Sequence, residues 1–274
     1  MQFKTLTTQD NTITIVDETY NEAMHSLSGA YHEALYMHVI PSRVLSKKGQ
    51  IYVLDIGFGL GYNVLALCAE ALKQNHTVFY TIISLEKNTD ILSAMEFVRF
   101  NDERDAIYDL LKKSARGEKV ITDYFSHSVL YGDARQLLGI LPVNYFDAVF
   151  HDPFSPAKNP ELWTVDFFQK LFPLCRDECI VTTYSAAVHI RTAMKKAGFI
   201  VGKGPEVGRK KEGTIATKKN AHIVPFDDTY WVYLETNPKA IPFTDTTLCE
   251  TPEEIRMRRK LHIAAFKKGL QAPL

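Results

Sequence analysis

The chain has 274 residues, of which 46% are hydrophobic and 23% are charged, and its 32 basic side chains balance its 32 acidic ones. These values are typical of one large globular domain with a packed core. Zero net charge excludes a uniformly cationic surface for nucleic acid, but it permits a local basic patch, which is the feature that binds phosphates.

The four cysteines indicate neither a disulfide framework nor a zinc site. None forms a C-x-x-C pair, and we interpret them as reduced thiols. The N-terminal MQFKTLTTQDNT lacks the apolar segment of a signal peptide, and no apolar run approaches the ~20 residues that span a bilayer. We therefore expect a cytoplasmic protein that uses no metal. The sequence leaves its oligomeric state open, with a monomer as one option.

Apolar runs alternate with helical patterns along the chain. Strands are predicted at 51–57, 77–87, 126–135, 145–152, 178–185 and 230–236, and helices at 61–74, 89–100, 103–125, 186–197 and 250–270. Such alternation is typical of βαβ units, so the predicted fold is α/β, with a mainly parallel sheet and helices on both faces.

Three segments depart from this alternation and set the predicted domain boundaries. Residues 1–46 form an N-terminal extension of a short strand plus helices, and residues 47–240 form the core. A charged helical insertion lies within that core at about 103–125. Residues 241–274 form a C-terminal helical extension, whose helix is expected to begin at Thr251 with a capping box.

The first predicted strand ends in a glycine-rich turn, GFGLGYN at 57–63. Gly57, Gly59 and Gly61 allow the backbone to turn tightly and to approach a ligand closely. The helix that follows can direct its first amides at an anion or polar group. A dinucleotide fingerprint requires glycine where this chain has Tyr62. The pattern favours S-adenosylmethionine, which carries a carboxylate and no pyrophosphate, although the loop alone is equally compatible with a structural turn.

Two acids extend this turn into a predicted nucleoside pocket. Glu86 ends the second strand, where a carboxylate can accept both ribose hydroxyls, and Asp133 ends the third, within reach of an adenine amino group. Each acid alone is compatible with a solvated strand end. Because the carboxyl ends of parallel strands meet at one edge of a sheet, the turn and both acids together predict a cofactor site.

The fourth predicted strand ends at Asp152, within FHDPFSPAKNPELW at 150–163. A carboxylate there can hold the N–H groups of an amine, aim its lone pair at a methyl donor and accept a proton. Pro153 and Pro156 restrict the loop, and Phe154 offers a ring face to a cation or a base. The alternative is a rigid structural turn with an incidental acid.

The string DAVFHDPFSPAKNPELWTVDFF at 147–168 resembles the signature of the tRNA wobble-uridine methyltransferases, the MnmC methyltransferase domain, which complete 5-methylaminomethyluridine. The same family is resembled by VLDIGFGLGYN at 53–63, SLEK at 84–87, TTYSAAVHIRTAMKKAGF at 182–199 and GRKKEG at 208–213. DETYNEAMHSLSGAYHEAL at 17–35 is similar to the stand-alone branch of the family.

The resemblance implies a class I S-adenosylmethionine-dependent methyltransferase fold, Rossmann-like, with a mainly parallel seven-stranded sheet. It implies N-methylation of 5-aminomethyluridine, plain or 2-thiolated, at the tRNA wobble position. The family's catalytic acid and neighbouring aromatic residue fall on Asp152 and Phe154. Its cofactor roles carry over to Gly57, Gly59, Glu86 and Asp133, and our predicted set adds Phe58, Gly61, Asn63, Lys87, Ala134, Asp152, His25 and Ser26.

The chain departs from the family's pattern in two respects. Fused members carry a flavin-dependent domain that removes a carboxymethyl group, and we expect that oxidative step to be absent here. The signature's usual Asp-Gly-Phe is Asp-Pro-Phe at residues 152–154, which predicts a stiffer loop around the same acid.

A tRNA enzyme needs cations that contact phosphates, and the predicted RNA-binding residues are Lys158, Lys203, Arg209, Lys210 and Lys211. Basic residues are also grouped at 112–119 and 256–268, and any single group is equally compatible with a solvated face. The segment 203–219 is our first choice because it follows the strand nearest the predicted active face.

Two other functions remain open on the sequence. A spermidine synthase-like aminopropyltransferase would share the fold, the amine nucleophile and the acid after the fourth strand, but Lys158 stands where a polyamine site would favour an acid. A non-catalytic RNA-binding protein with the same fold would have no use for Glu86, Asp133 and Asp152 together. A nicotinamide dehydrogenase is disfavoured by Tyr62.

Overall fold

The computed structural model describes residues 4–17, 22–24, 29–74, 78–207, 212–219 and 222–270. Its strands are β1 Lys4–Thr7, β2 Ile13–Asp17, β3 Glu22–Ala23, β4 Gly49–Ile56, β5 Val78–Glu86, β6 Val120–Ile121, β7 Phe125–Tyr131, β8 Phe146–His151, β9 Cys175–Thr183, β10 Ile200–Lys203 and β11 Thr214–Thr217.

Helices connect most of these strands. They are α1 Ala30–Glu33, which continues as a π-helical segment Ala34–Val39, α2 Tyr62–Leu72, α3 Ile91–Met95, α4 Arg104–Ala115, α5 Ala134–Leu137, α6 Val165–Leu171, α7 Val188–Lys196, α8 Asp228–Glu235 and α9 Pro252–Lys267. Short 3₁₀ turns lie at Val44–Ser46, Leu138–Ile140, Pro160–Trp163, Phe172–Leu174 and Pro238–Ala240.

The central sheet has the strand order β10-β11-β9-β8-β4-β5-β7-β6. Strands β9, β8, β4, β5 and β7 run parallel, whereas β6 and β11 pair antiparallel with their neighbours. This arrangement confirms the predicted α/β class and its mainly parallel sheet. The described sheet has eight strands rather than seven, because the two-residue β6 adds an edge pairing beside β7.

The sheet is covered on both faces, as parallel sheets are. Val53 of β4 and Phe150 of β8 belong to the buried cluster that includes α2 and α4. Their chain neighbours Leu54 and Val149 belong to the cluster on the opposite face, with α6 and α7. Because successive side chains of a strand point to opposite faces, these apolar runs specify a doubly covered sheet.

The residues before β4 hold more strand than the sequence predicted. Strands β1, β2 and β3 form a separate antiparallel sheet, in which Lys4 lies opposite Val16. Tyr62, at the start of α2, ties this sheet to the core: its hydroxyl donates to Ile13 O at 2.6 Å and accepts from Ile13 N at 3.2 Å. The residue that replaces the third glycine of a dinucleotide fingerprint therefore anchors the extension.

The strand predicted at 230–236 is wrong, because residues 230–235 lie in α8 and Thr236 caps its C-terminus. The aromatic and β-branched run YWVY favours a strand locally. However, Asp227 caps the segment as a helix, accepting a hydrogen bond from Tyr230 N at 2.8 Å. The edge of the sheet is formed instead by the antiparallel pair β10 and β11, which the sequence analysis missed.

Two helix predictions differ in their accuracy. The helix predicted at 89–100 is reduced to Ile91–Met95. The C-terminal helix begins as predicted, with a capping box in which Thr251 N donates to Glu254 Oε2 at 2.8 Å and Glu254 N donates to Thr251 Oγ1 at 3.3 Å. Across the residues that the structure describes, no helix is both long and apolar enough to cross a membrane.

Candidate active site

The glycine turn lies at the carboxyl edge of the sheet, directly after β4. Gly57, Gly59 and Gly61 all have positive φ values, of 91°, 52° and 78°, where residues with a Cβ are disfavoured. A Cβ on Gly57 would lie only 2.7 Å from the carbonyl oxygen of Asp152. Glycine at position 57 therefore allows the glycine turn to approach the main chain of residues 152–159, the loop that carries Asp152 and is called the acidic loop below.

Buried aromatic side chains contact the glycine turn on its core side. Phe58 is 2% exposed and packs against the ring of His127, with 5.4 Å between ring centroids. The Tyr108 hydroxyl, from α4, donates to Leu60 O at 2.9 Å. The predicted cofactor residue Phe58 is thus a core side chain, and only its main chain is available at the turn.

The carboxylate of Glu86 is held by main-chain donors at the end of β5. Its Oε2 accepts from Gly59 N at 2.8 Å, and its Oε1 accepts from Lys87 N and Asn88 N, both at 2.8 Å. Charge-assisted bonds of this kind fix a carboxylate strongly. Glu86 is consequently pre-positioned beside the glycine turn, at the place where an acid binds ribose in such folds.

Asp133 lies one strand further out and caps α5, whose first residue is Ala134. Its oxygens accept from the side chain of Arg135 at 3.0 and 2.7 Å, and Lys87 Nζ lies 3.7 Å away. Burial alone would raise the pKa of Asp133, but the hydrogen bonds from Arg135 outweigh it and hold that pKa below its usual value. Asp133 is therefore ionised, and Arg135 links it to Asp245 at 2.8 Å.

The loop that carries Asp152 is fixed through its main chain. Asp152 N donates to Ile56 O at 2.9 Å. The Tyr184 hydroxyl donates to Pro153 O, and Trp163 Nε1 donates to Phe154 O, each at 2.9 Å. Three consecutive residues are thereby held in place next to the glycine turn, as the two prolines of the loop led us to predict.

Asn63, the second residue of α2, bridges two carboxylates. Its Nδ2 donates to Asp152 Oδ2 at 3.1 Å and to Asp55 Oδ1 at 3.3 Å. Asp55 is fully buried, and burial raises its pKa to about 8, helped by the charges of Asp152 and Glu86 and opposed by the hydrogen bonds that it accepts from Ser84 and Asn63. Three acids thus lie beside the turn, of which Asp55 is mostly protonated at neutral pH, while Glu86 and Asp152 suit a ligand carrying positive charge.

Asp55 also begins a buried chain of hydrogen bonds that runs away from the site. Ser84 Oγ lies 2.8 Å from Asp55 Oδ2 and 2.9 Å from His127 Nε2, and Ser114 Oγ lies 2.6 Å from His127 Nδ1. Burial lowers the pKa of His127 to about 3, so its ring is neutral and carries one N–H. Which atom donates in each of these hydrogen bonds therefore depends on the protonation state of Asp55.

His38, from the π-helical segment after α1, contacts the acidic loop from the other side. Its Nε2 lies 3.5 Å from Asp152 Oδ1, and its Nδ1 lies 3.0 Å from Thr182 Oγ1 in β9. The sequence analysis missed both His38 and Asp55. An acid inside the apolar run VLDIG could have drawn attention to Asp55, but no local pattern marks His38, which is 114 positions before Asp152.

The predicted RNA-binding residues lie in different surroundings. Lys158 and Lys87 both line a cavity of about 520 Å³ beside the acidic loop. Lys203 is instead paired with Glu206 and Glu212, each at 3.2 Å. The remaining predicted residues Arg209, Lys210 and Lys211 lie outside the described residues, as do His25 and Ser26.

The basic residues of α9 are largely used in packing. Arg256 Nε donates to Ala157 O at 3.1 Å, and Arg259 Nε donates to Ile241 O at 2.6 Å. Arg258 Nη1 donates to Thr244 O at 3.2 Å. These arginines fasten α9 to the preceding segment and to the acidic loop. Within the described ranges, no three His, Cys, Asp or Glu side chains are grouped as metal ligands.

Comparison with known proteins identifies the family. A family model described as S-adenosyl-L-methionine-dependent methyltransferase matches residues 101–219. The crystal structure of MnmC2 from Aquifex aeolicus is 34% identical, with a TM-score of 0.85, over 96% of this chain and 85% of that one. The chain belongs to the MnmC family of methyltransferases. The predicted class I fold and the predicted cofactor, S-adenosylmethionine, are thereby confirmed.

Two further relatives are covered by this chain to different extents. An uncharacterized protein of Methanocaldococcus jannaschii is 30% identical over 96% of this chain and 73% of its own length. The tRNA 5-methylaminomethyl-2-thiouridine biosynthesis bifunctional protein MnmC of Pseudoalteromonas atlantica is 27% identical over 72% of this chain. That match covers only 30% of the bifunctional protein, so this chain corresponds to one part of it.

Proposed function

We propose that this methyltransferase transfers a methyl group from S-adenosylmethionine to the primary amine of 5-aminomethyluridine, plain or 2-thiolated, at the wobble position of tRNA. The observation that carries the proposal is the placement of Asp152. Its carboxylate accepts a hydrogen bond from Asn63 Nδ2 at 3.1 Å. Its main chain lies against Gly57 of the glycine turn. An acid in contact with a cofactor loop can hold an amine and receive its proton.

The described residues fit S-adenosylmethionine at this edge of the sheet. Glu86 is pre-positioned for the two ribose hydroxyls, and Gly59 leaves an open approach to the turn, with only two atoms near the position of an added Cβ, each at 3.9 Å. Glu86 and Asp152 provide the negative charge that a sulfonium and an ammonium group require, whereas Asp55, with its pKa raised to about 8 by burial, is mostly neutral at pH 7. When bound, the cofactor supplies an electrophilic methyl group on a positively charged sulfur.

The residues around Asp152 suit a cationic amine as the acceptor. An alkyl ammonium has a pKa of about 10, as in lysine, so it arrives protonated and must lose one proton before its nitrogen can attack. Asp152 is the group that we propose to orient the nitrogen and to take that proton. The half-buried Phe154 adjoins it in the same loop, where a ring can contact the uracil base or the ammonium group.

We propose that the tRNA approaches over the cavity next to the acidic loop. Lys158 lies at this cavity and belongs to the same loop region as Asp152, whereas Lys87, which also lines the cavity, has its Nζ 3.7 Å from Asp133 Oδ2. Lysines there can contact the phosphates that flank the modified nucleoside. Lys203 supports the proposal less, because Glu206 and Glu212 already balance its charge.

The proposal is tested by transfer of a labelled methyl group to defined acceptors. The acceptors are tRNA carrying 5-aminomethyluridine and the same tRNA carrying 5-carboxymethylaminomethyluridine. A parallel reaction contains putrescine and the decarboxylated cofactor and is followed by the formation of spermidine, because aminopropyl transfer leaves the methyl group on sulfur. We expect label on the aminomethyl tRNA alone, released after digestion as 5-methylaminomethyluridine. Product from putrescine with no label on tRNA would contradict the proposal and would indicate an aminopropyltransferase.

The variant Asp152→Asn links the activity to the residue. It keeps the size of the side chain and an acceptor for Asn63, but it cannot take a proton, so we expect methyl transfer to fall at least ~100-fold, the scale of general-base catalysis. Cofactor affinity, measured by calorimetry, should stay within about threefold of wild type. The control Asp177→Asn removes an exposed acid at the opposite end of β9 and should retain wild-type activity.

A further inference from the structure

We infer that His38 is a positioning residue for Asp152 and holds the proton that Asp152 removes from the substrate amine. The inference rests on the proposed function, because it concerns how that same amine is activated. It comes from the geometry of a buried imidazole whose two nitrogens have different surroundings.

The first nitrogen, Nδ1, is oriented by Thr182. The hydroxyl of Thr182 has one proton, and it donates that proton to Val149 O at 3.3 Å. With that proton used, we assign the hydroxyl as the acceptor from His38, so that the nitrogen at 3.0 Å carries a hydrogen as Nδ1–H. This contact fixes both the tilt of the ring and its tautomer.

The second nitrogen, Nε2, then presents a lone pair whenever the ring is neutral. His38 is fully buried, and Nε2 has no hydrogen-bond partner within the described residues. It faces Asp152 Oδ1 at 3.5 Å, while Asp152 Oδ2 accepts from Asn63. Two lone pairs that face each other in a buried place are stabilised by a proton between them. The pair is thus arranged to take up one proton.

Other ionisable groups around the pair are limited. Burial lowers the pKa of His151 to about 3, and its Nε2 is bonded to Leu162 O at 2.9 Å, so this neighbour stays neutral. Asp55 lies beyond the Asn63 amide, and Glu33 precedes His38 in the same helical stretch. Strand β9 and helix α2 contribute Thr182 and Asn63, which do not ionise. His38 is therefore the base in contact with Asp152.

The proton step balances without any further reactant. One N–H bond of the substrate ammonium breaks, its electron pair remains on nitrogen as the lone pair, and the proton forms an O–H bond with Asp152. The proton then passes to His38 Nε2, which leaves an imidazolium beside a carboxylate. Methylation of the neutral amine gives a secondary ammonium that keeps its own two protons, so the proton on His38 leaves to solvent before the next cycle.

The test is the pH dependence of single-turnover methyl transfer to aminomethyl tRNA in wild type and His38→Gln. Glutamine keeps a polar group of similar length but cannot hold the proton. We expect the rate to fall roughly 10- to 100-fold at pH 7, as for loss of a general base. We expect that loss to shrink towards pH 10, where the free amine becomes abundant, with the KM for tRNA and the cofactor affinity within about twofold of wild type.

A pair of variants at Thr182 keeps the inference testable if His38→Gln does not fold. Thr182→Val removes the acceptor for Nδ1–H and should lower the rate with the same pH signature, whereas Thr182→Ser should restore it. In addition, ¹⁵N spectra of histidine-labelled wild type should show His38 with a proton on Nδ1. A proton on Nε2 alone at neutral pH, with Nδ1 bare, would overturn the inference.

The outcomes separate this inference from the proposed function. Absence of transfer by wild type to any wobble-modified tRNA would refute the proposed function and the inference together. Normal transfer by wild type, with a His38→Gln loss that is absent or equal at every pH, would refute the inference alone, since a structural role for His38 lowers activity uniformly.

Discussion

Glu86 and Asp152 end two strands that flank β4, but they are held in different ways. Glu86 is fixed by three main-chain N–H groups, all within residues 59–88. Asp152 has its main chain fixed by the sheet, while its carboxylate faces side chains from distant segments, Asn63 and His38. On the proposed function, cofactor recognition is thus built locally from backbone, and amine activation is built from residues that only the tertiary fold brings together.

The largest effect is expected from removing the Glu86 carboxylate, which tests whether Glu86 and Asp152 have separate roles. Glu86→Ala should weaken S-adenosylmethionine about 100-fold in calorimetry, because two hydrogen bonds to a charged group contribute roughly 1.5 kcal/mol each. The rate at saturating cofactor should stay within about threefold, unlike that of Asp152→Asn. The exposed acid in Glu118→Ala provides a control. Unchanged affinity for S-adenosylmethionine combined with lost methyl transfer in Glu86→Ala would contradict the separate roles proposed for Glu86 and Asp152.

A second experiment sharpens the contrast at Asp55, which lies between the two acids. Its folded pKa of about 8 exceeds the unfolded value of 3.8, so the stability due to its proton is full below pH 3.8 and is lost as the pH rises through about 8. Asp55→Asn stays neutral and keeps the hydrogen bonds. Its Tm should therefore exceed that of wild type by a margin that grows from pH 5 to 8 and then levels off.

The neighbouring His127 reports the same titration independently. With Asp55 protonated, hydrogens can run from Asp55 through Ser84 to His127 Nε2, so the ring carries its proton on Nδ1. With Asp55 ionised, Ser84 donates to Asp55 and the ring carries its proton on Nε2. A change of tautomer in ¹⁵N spectra near pH 8, absent in Asp55→Asn, is expected. Parallel Tm curves and one fixed tautomer would contradict the assignment.

The smallest expected effect concerns the outer surface. Lys158→Ala should raise the KM for tRNA about threefold and reduce the salt dependence of binding by about one phosphate contact. Lys203→Ala should change neither, because Glu206 and Glu212 already neutralise that lysine. Equal effects of both variants would place the RNA path over a wider surface than the cavity beside Asp152.

Local patterns in the sequence were sufficient to predict that the glycine turn and Glu86 lie side by side, as the hydrogen bond from Gly59 N to Glu86 Oε2 shows. Gly57, Gly59 and Glu86 follow strands whose apolar runs are continuous, and their roles depend on neighbours within about 30 positions. The mainly parallel sheet and its two covered faces followed from the same runs. The family signature also predicted Asp152, because a proline-containing loop after a buried strand can be recognised in the sequence alone.

The rest depended on contacts that no local pattern records. His38 meets Asp152 only because the π-helical segment Ala34–Val39 packs against β9. The aromatic run at 230–233 favoured a strand, yet a capping aspartate and the hairpin of β10 and β11 overrode that preference. Charge at Lys203 and Arg259 suggested RNA contacts, but Lys203 pairs with Glu212 across the β10–β11 hairpin and Arg259 donates to Ile241 O.

The main-chain contact between Gly57 and Asp152 has a consequence for how this protein family can diversify. Because the two loops approach each other backbone to backbone, the distance between the glycine turn and the main chain of Asp152 is set by the peptide chain and not by any side chain. On the proposed function, substitutions at Phe154 or Lys158 can therefore alter which amine is accepted while the spacing of the two loops is preserved. Substrate choice and reaction geometry are in that sense inherited separately.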